Sequence, residues 1–378
     1  MSDFESDFKS NFRVGFIGFG LIGGSIARAL KKINPSFYLI AYDYHKNKPS
    51  TDLQAALNDQ VLDQVTPLLS EGFPACDLVF LCAPVLSNIE YLRQLKPLLK
   101  PDCILTDVGS VKTNIHEAVE ELGLESQFVG GHPMTGSEKT GYHNSYALLL
   151  ENAYYILTPT AKTPDHMTQL LYLLVKQMGS IPIILDAREH DKITAAISHV
   201  PHIIAAQLVN LVREADDDAE KMRALAAGGF KDITRIASSS PVMWQNICLT
   251  NANEIKVCLD RYITSLQVAS DALSHNDGDF LYHMFDTAGE YRSAIPNKSI
   301  GLMKKLFEVY LDIVDEAGAI ATIATFLASN QISIKNIGII HNREFEEGVL
   351  RIEFYDEEAQ QKAIAMLGRY NYRIYERN

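Results

Sequence analysis

The chain has 378 residues, 47% hydrophobic and 21% charged, with a formal net charge of −13. That length exceeds one ordinary domain and accommodates two or three, and the composition is that of a soluble globular protein. The acidic balance excludes nucleic acid and an anionic membrane surface as partners, because both need basic patches.

The N-terminal stretch MSDFESDFKSNF is polar and acidic, so no secretory leader is expected, and no apolar run reaches the roughly 18 residues of a membrane span. Through residues 13–185, short apolar β-rich runs alternate with helical patterns. The predicted strands are RVGFIG (13–18), SFYLIAYD (36–43), CDLVFLCAP (76–84), CILTDVG (103–109), SQFVGG (126–131), AYYILTP (153–159) and IPIIL (181–185). Several lack strict alternation, as strands covered on both faces do. The strand–helix order predicts an α/β fold with a mainly parallel, doubly wound sheet. Cys76, Cys82, Cys103, Cys248 and Cys258 form no CxxC pair, and several sit in apolar runs. Buried thiols in a reducing compartment are expected, hence a cytoplasmic protein.

Residues 187–305 read as all-helical. EHDKITAAISHVPHIIAAQLVNLVREA and WQNICLTNANEIKVCLDRYITSLQVASDAL predict helices of about 30 residues, longer than a small monomeric domain requires. Such length points to a helical dimer interface. The last segment predicts β (309–315), α (318–330), β (331–340), β (346–356), α (357–368), β (370–377), the order of a ferredoxin-like module, with Gly318 and Asn330 bracketing its first helix. The expected domains are 1–186, 187–305 and 306–378, linked near SAIPNKS (293–299).

GFGLIGGS (18–25) contains Gly18-x-Gly20-x-x-Gly23 between an apolar strand and a helix opened by Leu21 and Ile22, and Asp43 closes the next strand. That context marks a dinucleotide site. Gly18 permits the turn, Gly20 lets the backbone approach a pyrophosphate, and Gly23 lets the helix pack on the strand. The pyrophosphate would sit on the helix N-terminus. Asp43 would bind the ribose hydroxyls and repel a 2′-phosphate, favouring NAD, although His45, Lys46 and Lys48 weaken that preference.

In a doubly wound sheet, ligands bind beyond the carboxyl ends of the strands. There the chain places the glycine loop, Ala83-Pro84, Gly109-Ser110 with Lys112, and the loop GGHPMTGSEKTG (130–141). His132 would then face the nicotinamide. Hydride transfer from an alcohol needs loss of the hydroxyl proton, which a histidine with an ordinary pKa of ~6.5 can take. Ser110 could fix one imidazole nitrogen or bond the same hydroxyl, and Glu138 could orient a ring. Alone, His132 would read as a loop histidine bonded to backbone; on a shared edge with Ser110 it reads as catalytic.

A second cluster lies in the helical region. AISHVPH puts His199 and His202 on one helical face, a spacing too poor in acidic neighbours to argue for a metal. GGFKDITRIASSSPVMW (228–244) carries Asp232 and Arg235, an i, i+3 pair suited to clamping a carboxylate, and the single tryptophan, Trp244.

GxGLIGGS, TDVGSVK, GGHPMTGSEKTG, SHVPH and GGFKDITRIASSSPVMW, in that order, resemble the prephenate dehydrogenases of tyrosine biosynthesis over about residues 13–300. The C-terminal segment, with EAGAIATIATFLASNQISI, is similar to ACT domains, small regulatory modules that often bind amino acids. The resemblance implies NAD(P)-dependent oxidative decarboxylation of prephenate to 4-hydroxyphenylpyruvate by a homodimer without a metal. It implies that His132 bonds the C4 hydroxyl beside Ser110, that Arg235 holds a substrate carboxylate supported by Asp232 and Trp244, and that His202 and Glu138 line the pocket. Tyrosine is the expected effector, with Gly318 and Asn336 near strand ends as its contacts. Three other readings stay open: an arogenate or dual-specificity dehydrogenase, a β-hydroxyacid dehydrogenase using Lys112, and a non-enzymatic sensor of NAD and an amino acid.

Overall fold

The computed structural model describes residues 12–44, 50–136, 139–217, 219–295, 307–313, 318–340, 348–370 and 372–375. They fall into two compact units, Met1–Ser299 and Ile300–Asn378.

In the first unit, β1 (Arg13–Ile17), β2 (Tyr38–Tyr42), β3 (Gln64–Thr66), β4 (Leu78–Leu81) and β5 (Ile104–Asp107) form a parallel sheet in the order β3-β2-β1-β4-β5. The helices α1 (Leu21–Ile33), α2 (Thr51–Asn58), α3 (Val85–Leu95) and α4 (Thr113–Leu122) connect and cover the strands. Phe80 packs into one core with Phe16, Leu30 and Leu39, while its neighbours Val79 and Leu81 pack into the opposite one with Ile17, Ile40 and Leu105. Successive strand residues point to opposite faces, so burial on both faces makes these runs continuously apolar. Because β1 pairs with both β2 and β4, the winding reverses beside β1 and leaves a crevice at the carboxyl edge.

Past β5 the parallel pattern expected from the sequence breaks. β6 (Val129–Pro133) runs antiparallel to β7 (Tyr154–Pro159), which runs parallel to β8 (Ile181–Ile184), and one parallel bridge, Leu105 to Phe128, ties this sheet to β5. The described part of the β6–β7 connection holds only the 3-10 turns Tyr142–Asn144 and Ala147–Leu150, without a crossover helix, so the chain returns antiparallel. Between β7 and β8, α5 (Asp165–Gln177) supplies the crossover and parallel pairing resumes. The three residues of β3 carry too little pattern to have been predicted.

The helical region begins with α6, a helix over Ala187–Ala215 that contains a π turn at Ala195–His199. Pro201 has no N–H to bond Ile197, and the Val200 N–H reaches back to the Ala195 carbonyl in a widened turn. By length and composition alone α6 is apolar enough to cross a membrane, with mean hydropathy 1.4 over its most apolar window. The sequence reading counted uninterrupted runs and missed it, because His199, His202 and Gln207 interrupt the alanines, isoleucines and valines. The remaining helices are α7 (Lys221–Leu225), α8 (Gly228–Thr234), α9 (Pro241–Thr250), α10 (Ala252–Ser274) and α11 (Gly278–Ala294). The single helix expected over 244–273 is therefore two, α9 and α10. Asn251 between them has left helical geometry, at φ −114° and ψ 30°, to place its buried amide against α6. Ala195, Val200 and Ile255 form a small core, while Leu211, Leu249, Ile263, Leu266 and Phe285 stand exposed on the chain.

The second unit has the element order β9 (Phe307–Ile313), α12 (Ala319–Ser329), β10 (Ile334–Ile340), β11 (Gly348–Phe354), α13 (Glu357–Arg369), β12 (Ile374–Tyr375). Its antiparallel sheet runs β10-β11-β9-β12, and Val309, Leu311, Leu350 and Ile352 pack against Ile323 and Leu367 of the helices. Gly318, at φ +97°, caps α12 as only a residue at ease in the left-handed region can, and Asn330 ends the helix. Asn336 lies within β10 beside a register shift, not at a strand end as expected, and its side chain is exposed.

Candidate active site

The crevice beside β1 holds a cavity of about 550 Å³, lined among others by Gly18, Gly20, Asp43, Ser50, Ala83 and Pro84. Gly18 sits at φ +85°, and a Cβ there would come within 2.6 Å of the Ala83 nitrogen, so the loops after β1 and β4 touch only because it is glycine. At Gly23 a Cβ would meet the Gly18 carbonyl at 2.8 Å, whereas at Gly20 it would meet nothing within 4 Å. Gly20 thus leaves open space at the first turn of α1, where the N–H groups of Leu21, Ile22 and Gly23 lack intrahelical acceptors. Asp43, buried at the end of β2, accepts the Ser50 N–H at 2.8 Å; His45, Lys46 and Lys48 lie outside the described residues. Asn88, unforeseen in the sequence, holds the Ala83–Pro84 turn: its amide accepts from Ala83 N–H at 3.2 Å and donates to the Leu81 carbonyl at 3.2 Å. An open helix start, a close-packed glycine turn and a buried carboxylate on one cavity fit a dinucleotide.

His132 does not sit in a loop. Residues Glu125–Gln127 are a 3-10 turn, and β6 starts at Val129 and runs through Pro133 because its antiparallel pairing with β7 carries it that far. The peptide before His132 is gripped on both sides. Asp107 accepts the Gly131 N–H at 3.1 Å, and Lys112 donates to the Gly131 carbonyl at 2.7 Å. Lys112 also pairs with Asp107, and both side chains are fully buried. Burial lowers the Lys112 pKa against the pull of Asp107. With its ammonium engaged in holding β5 to β6, Lys112 does not offer the free amine that the hydroxyacid dehydrogenase reading needs.

The nitrogen Nδ1 of His132 is fixed by His190 rather than by Ser110, the partner considered above. His190 Nε2 lies 2.8 Å from His132 Nδ1, and His190 Nδ1 lies 2.8 Å from Asp191 Oδ1. Asp191 also accepts the backbone N–H groups of Lys112 and Thr113, each at 2.7 Å, at the positive end of α4. Burial alone would raise its pKa, but the hydrogen bonds from His190, Thr113 and Lys112 bring it below the ordinary value. The proton positions follow from the carboxylate outward. Asp191 can only accept, so His190 carries its proton on Nδ1 and accepts at Nε2; His132 is therefore protonated at Nδ1, and its Nε2 keeps a lone pair. Burial first, then His190 and Lys112, hold the His132 pKa well below that of an ordinary histidine, so the ring is neutral near pH 7. Ser110, half-buried in the loop after β5, makes no hydrogen bond among the described residues. Sequence reasoning gave His190 no role, because nothing in the local pattern announces a partner 58 residues away.

Beyond Gly136 the chain returns to α1. A Cβ on Gly24 would come within 2.7 Å of Ser145 Oγ and 2.8 Å of the Tyr142 ring, so the fourth glycine of GFGLIGGS serves this docking. The Tyr142 hydroxyl donates to Asp59 at 2.8 Å, under the Arg28 guanidinium. Glu138 lies outside the described residues.

The second cluster forms in part. The His202 ring stacks on Trp244 with centroids 3.7 Å apart, and its Nδ1 donates to the Ser198 carbonyl at 2.9 Å. Burial lowers its pKa, with help from the charge of nearby Arg235. Asp232 and Arg235 are both exposed, and no ion pair joins them among the described residues. The i, i+3 argument fails because α8 ends at Thr234 and Arg235 opens a 3-10 turn, which changes the side-chain geometry. Among the described residues no group of three or more His, Cys, Asp or Glu could hold a metal.

Comparison with known proteins agrees with this geometry. The profile of the prephenate dehydrogenase nucleotide-binding domain matches residues 26–183, and that of the prephenate dehydrogenase dimerization domain matches residues 186–287. A prephenate dehydrogenase of Bacillus subtilis is 37% identical over 348 residues, 92% of this chain and 93% of that protein. One of Lactococcus lactis is 33% identical over 358 residues, 93% of this chain and 96% of that protein. The crystal structure of Aquifex aeolicus prephenate dehydrogenase in complex with hydroxyphenyl propionate and NAD+ is 28% identical, with a TM-score of 0.70 over 75% of this chain and 98% of that one. The chain belongs to the prephenate dehydrogenase family of NAD-dependent oxidoreductases.

Proposed function

We propose that the chain oxidises and decarboxylates prephenate to 4-hydroxyphenylpyruvate with NAD, working as a cytoplasmic homodimer. The observation that carries the reading is the chain Asp191–His190–His132, which leaves one imidazole lone pair at the carboxyl edge of a dinucleotide-binding sheet. The bound NAD supplies the hydride acceptor. Gly18, Gly20, Leu21, Ile22 and Gly23 cradle its pyrophosphate, Asp43 its ribose, and Ala83 and Pro84 the neighbouring wall. His132 Nε2 takes the C4 hydroxyl proton as hydride leaves C4, and Ser110 bonds the same hydroxyl. The new imidazolium is stabilised through His190 by the Asp191 carboxylate. The ring carboxylate then leaves as carbon dioxide, and its bonding electrons complete the aromatic ring, so orientation and one proton transfer suffice. Arg235 binds a substrate carboxylate, His202 and Glu138 line the pocket, and Trp244 supports the clamp through His202. Asp232 acts, if at all, by its charge rather than by a bond to Arg235.

A second copy of the chain would cover the exposed apolar residues of the helical region, which the profile match labels as a dimerization domain. The βαββαβ unit is read as an ACT module through which tyrosine inhibits, with Gly318 and Asn336 as candidate contacts. The domains 1–186, 187–305 and 306–378 would divide these tasks. The test is NADH absorbance on mixing protein, NAD and prephenate, repeated with NADP, arogenate and tyrosine. Formation of NADH with prephenate, suppressed by tyrosine until residues 306–378 are removed, is expected. No NADH from prephenate would overturn the catalytic reading, and inhibition that persists in the truncation would move tyrosine to the active site.

A further inference from the structure

Two buried N–H groups beside the proposed active site lack acceptors. The Asn251 amide nitrogen donates one hydrogen to the Asp191 carbonyl at 2.9 Å, which fixes the amide's orientation, and its other hydrogen meets His199 Nδ1 at 3.1 Å. His199 Nδ1 is therefore an acceptor, and the ring proton sits on Nε2. That Nε2 is buried without a hydrogen-bond partner, and so is Trp244 Nε1. His199 is only 1% exposed, and burial, the foremost cause, brings its pKa down to about 4, so the ring is neutral. The His199 and Trp244 rings stand 6.0 Å apart, within the span of one keto-acid group. His199 lies near enough to His132 to depress its proton affinity, and Trp244 carries the stacked His202 toward Arg235. The pair thus lies between the group that takes the C4 proton and the group that clamps a carboxylate.

We infer that His199 Nε2–H and Trp244 Nε1–H form a neutral two-donor site for the side-chain keto oxygen of the substrate, which rests on the prephenate reading above and makes this pair the specificity determinant for a keto acid over an amino acid. A buried donor left unpaired costs stability, so a ligand that supplies the oxygen gains and one that lacks it does not. An ammonium at that carbon would set N–H against N–H.

The test uses the full-length protein with saturating NAD and two ligands that differ by that oxygen, 4-hydroxyphenylpyruvate and 4-hydroxyphenylpropionate. Trp244 is the only tryptophan, so its emission reports the contact directly. The keto acid should shift the emission and bind roughly fivefold to tenfold tighter than the propionate. In Trp244→Phe, which keeps a ring over His202, competition against prephenate turnover should show the gap narrowed to about twofold or less. Equal binding and equal emission for the two ligands in the wild type would overturn the inference, and this comparison decides even if the variant does not fold. An unchanged gap in an active Trp244→Phe enzyme would also overturn it, while leaving the enzymatic reading intact. Failure of the wild type to turn over prephenate would instead remove the reading on which it rests.

Discussion

Replacing Asp191 with asparagine tests the histidine chain at its root. Asp191 is buried and accepts three hydrogen bonds, from His190 Nδ1 at 2.8 Å and from Lys112 N and Thr113 N at 2.7 Å each. Hydrogen bonds to a charged group contribute about 1.5–3 kcal/mol each. Asparagine keeps one oxygen for the two backbone donors and turns an NH2 toward the third position, so about one strong bond is lost and one donor is left unpaired. A stability loss of about 3 kcal/mol follows, measurable by urea unfolding. The catalytic effect is larger than this loss suggests. Without a carboxylate, His190 is free to move its proton to Nε2. His132 would then accept at Nδ1 and present an N–H, not a lone pair, to the substrate hydroxyl. The turnover number for prephenate should fall about 100-fold, within the range a positioned general base contributes, with the KM for NAD unchanged. A folded Asp191→Asn enzyme with kcat within about twofold of wild type would refute the tautomer argument.

Four further outcomes follow from the same geometry. Lys112→Met leaves Asp107 buried and unpaired and should cost about 3–5 kcal/mol, much of it recovered in Lys112→Met with Asp107→Leu; no recovery in urea melts would contradict the pairing argument. Arg235→Ala should raise the KM for prephenate by an amount worth about 2–3 kcal/mol while changing kcat little, and steady-state kinetics showing the reverse would reject a clamp role. His199 titrates at about 4 in the fold and near 6.5 when unfolded, so the unfolded state binds more protons between these limits. Stability is full above about pH 6.5 and falls as pH drops toward 4, by about 3 kcal/mol from this group; unfolding free energies of wild type and His199→Asn across that range should diverge accordingly. Gly24→Ala should cost about 1–3 kcal/mol by pushing Tyr142 and Ser145 off α1, and an unchanged melting temperature would show that the segment does not dock as described.

What was legible in the sequence was what local chemistry dictates. Gly18 and Gly23 answer to a turn and a close approach within a few residues, so spacing alone places them. His132 was found because strand ends in a doubly wound sheet share an edge. His190, Asp191 and Asn251 were missed for the opposite reason: each acts across long stretches of chain, and His190 looks like any residue of a polar helix start. The Asp232–Arg235 pair failed where spacing was trusted beyond a helix end. The helix expected through Asn251 failed because a tertiary demand, two acceptors on α6, outweighed an otherwise continuous amphipathic pattern.

The π turn in α6 amounts to one extra residue threaded into a helix, and it sets the helix's tolerance to change. Each residue turns an α-helix by about 100°. Deleting any one residue within Ala195–His199 would let the turn tighten to ordinary α geometry with hardly any loss of length. Everything downstream would rotate by that angle, carrying His202 off the face that meets Trp244 while the upstream His190 stayed in place. This stretch should therefore accept many substitutions and almost no single-residue deletions, because it works as an indexing notch between the proton-handling half of the helix and its substrate-facing half.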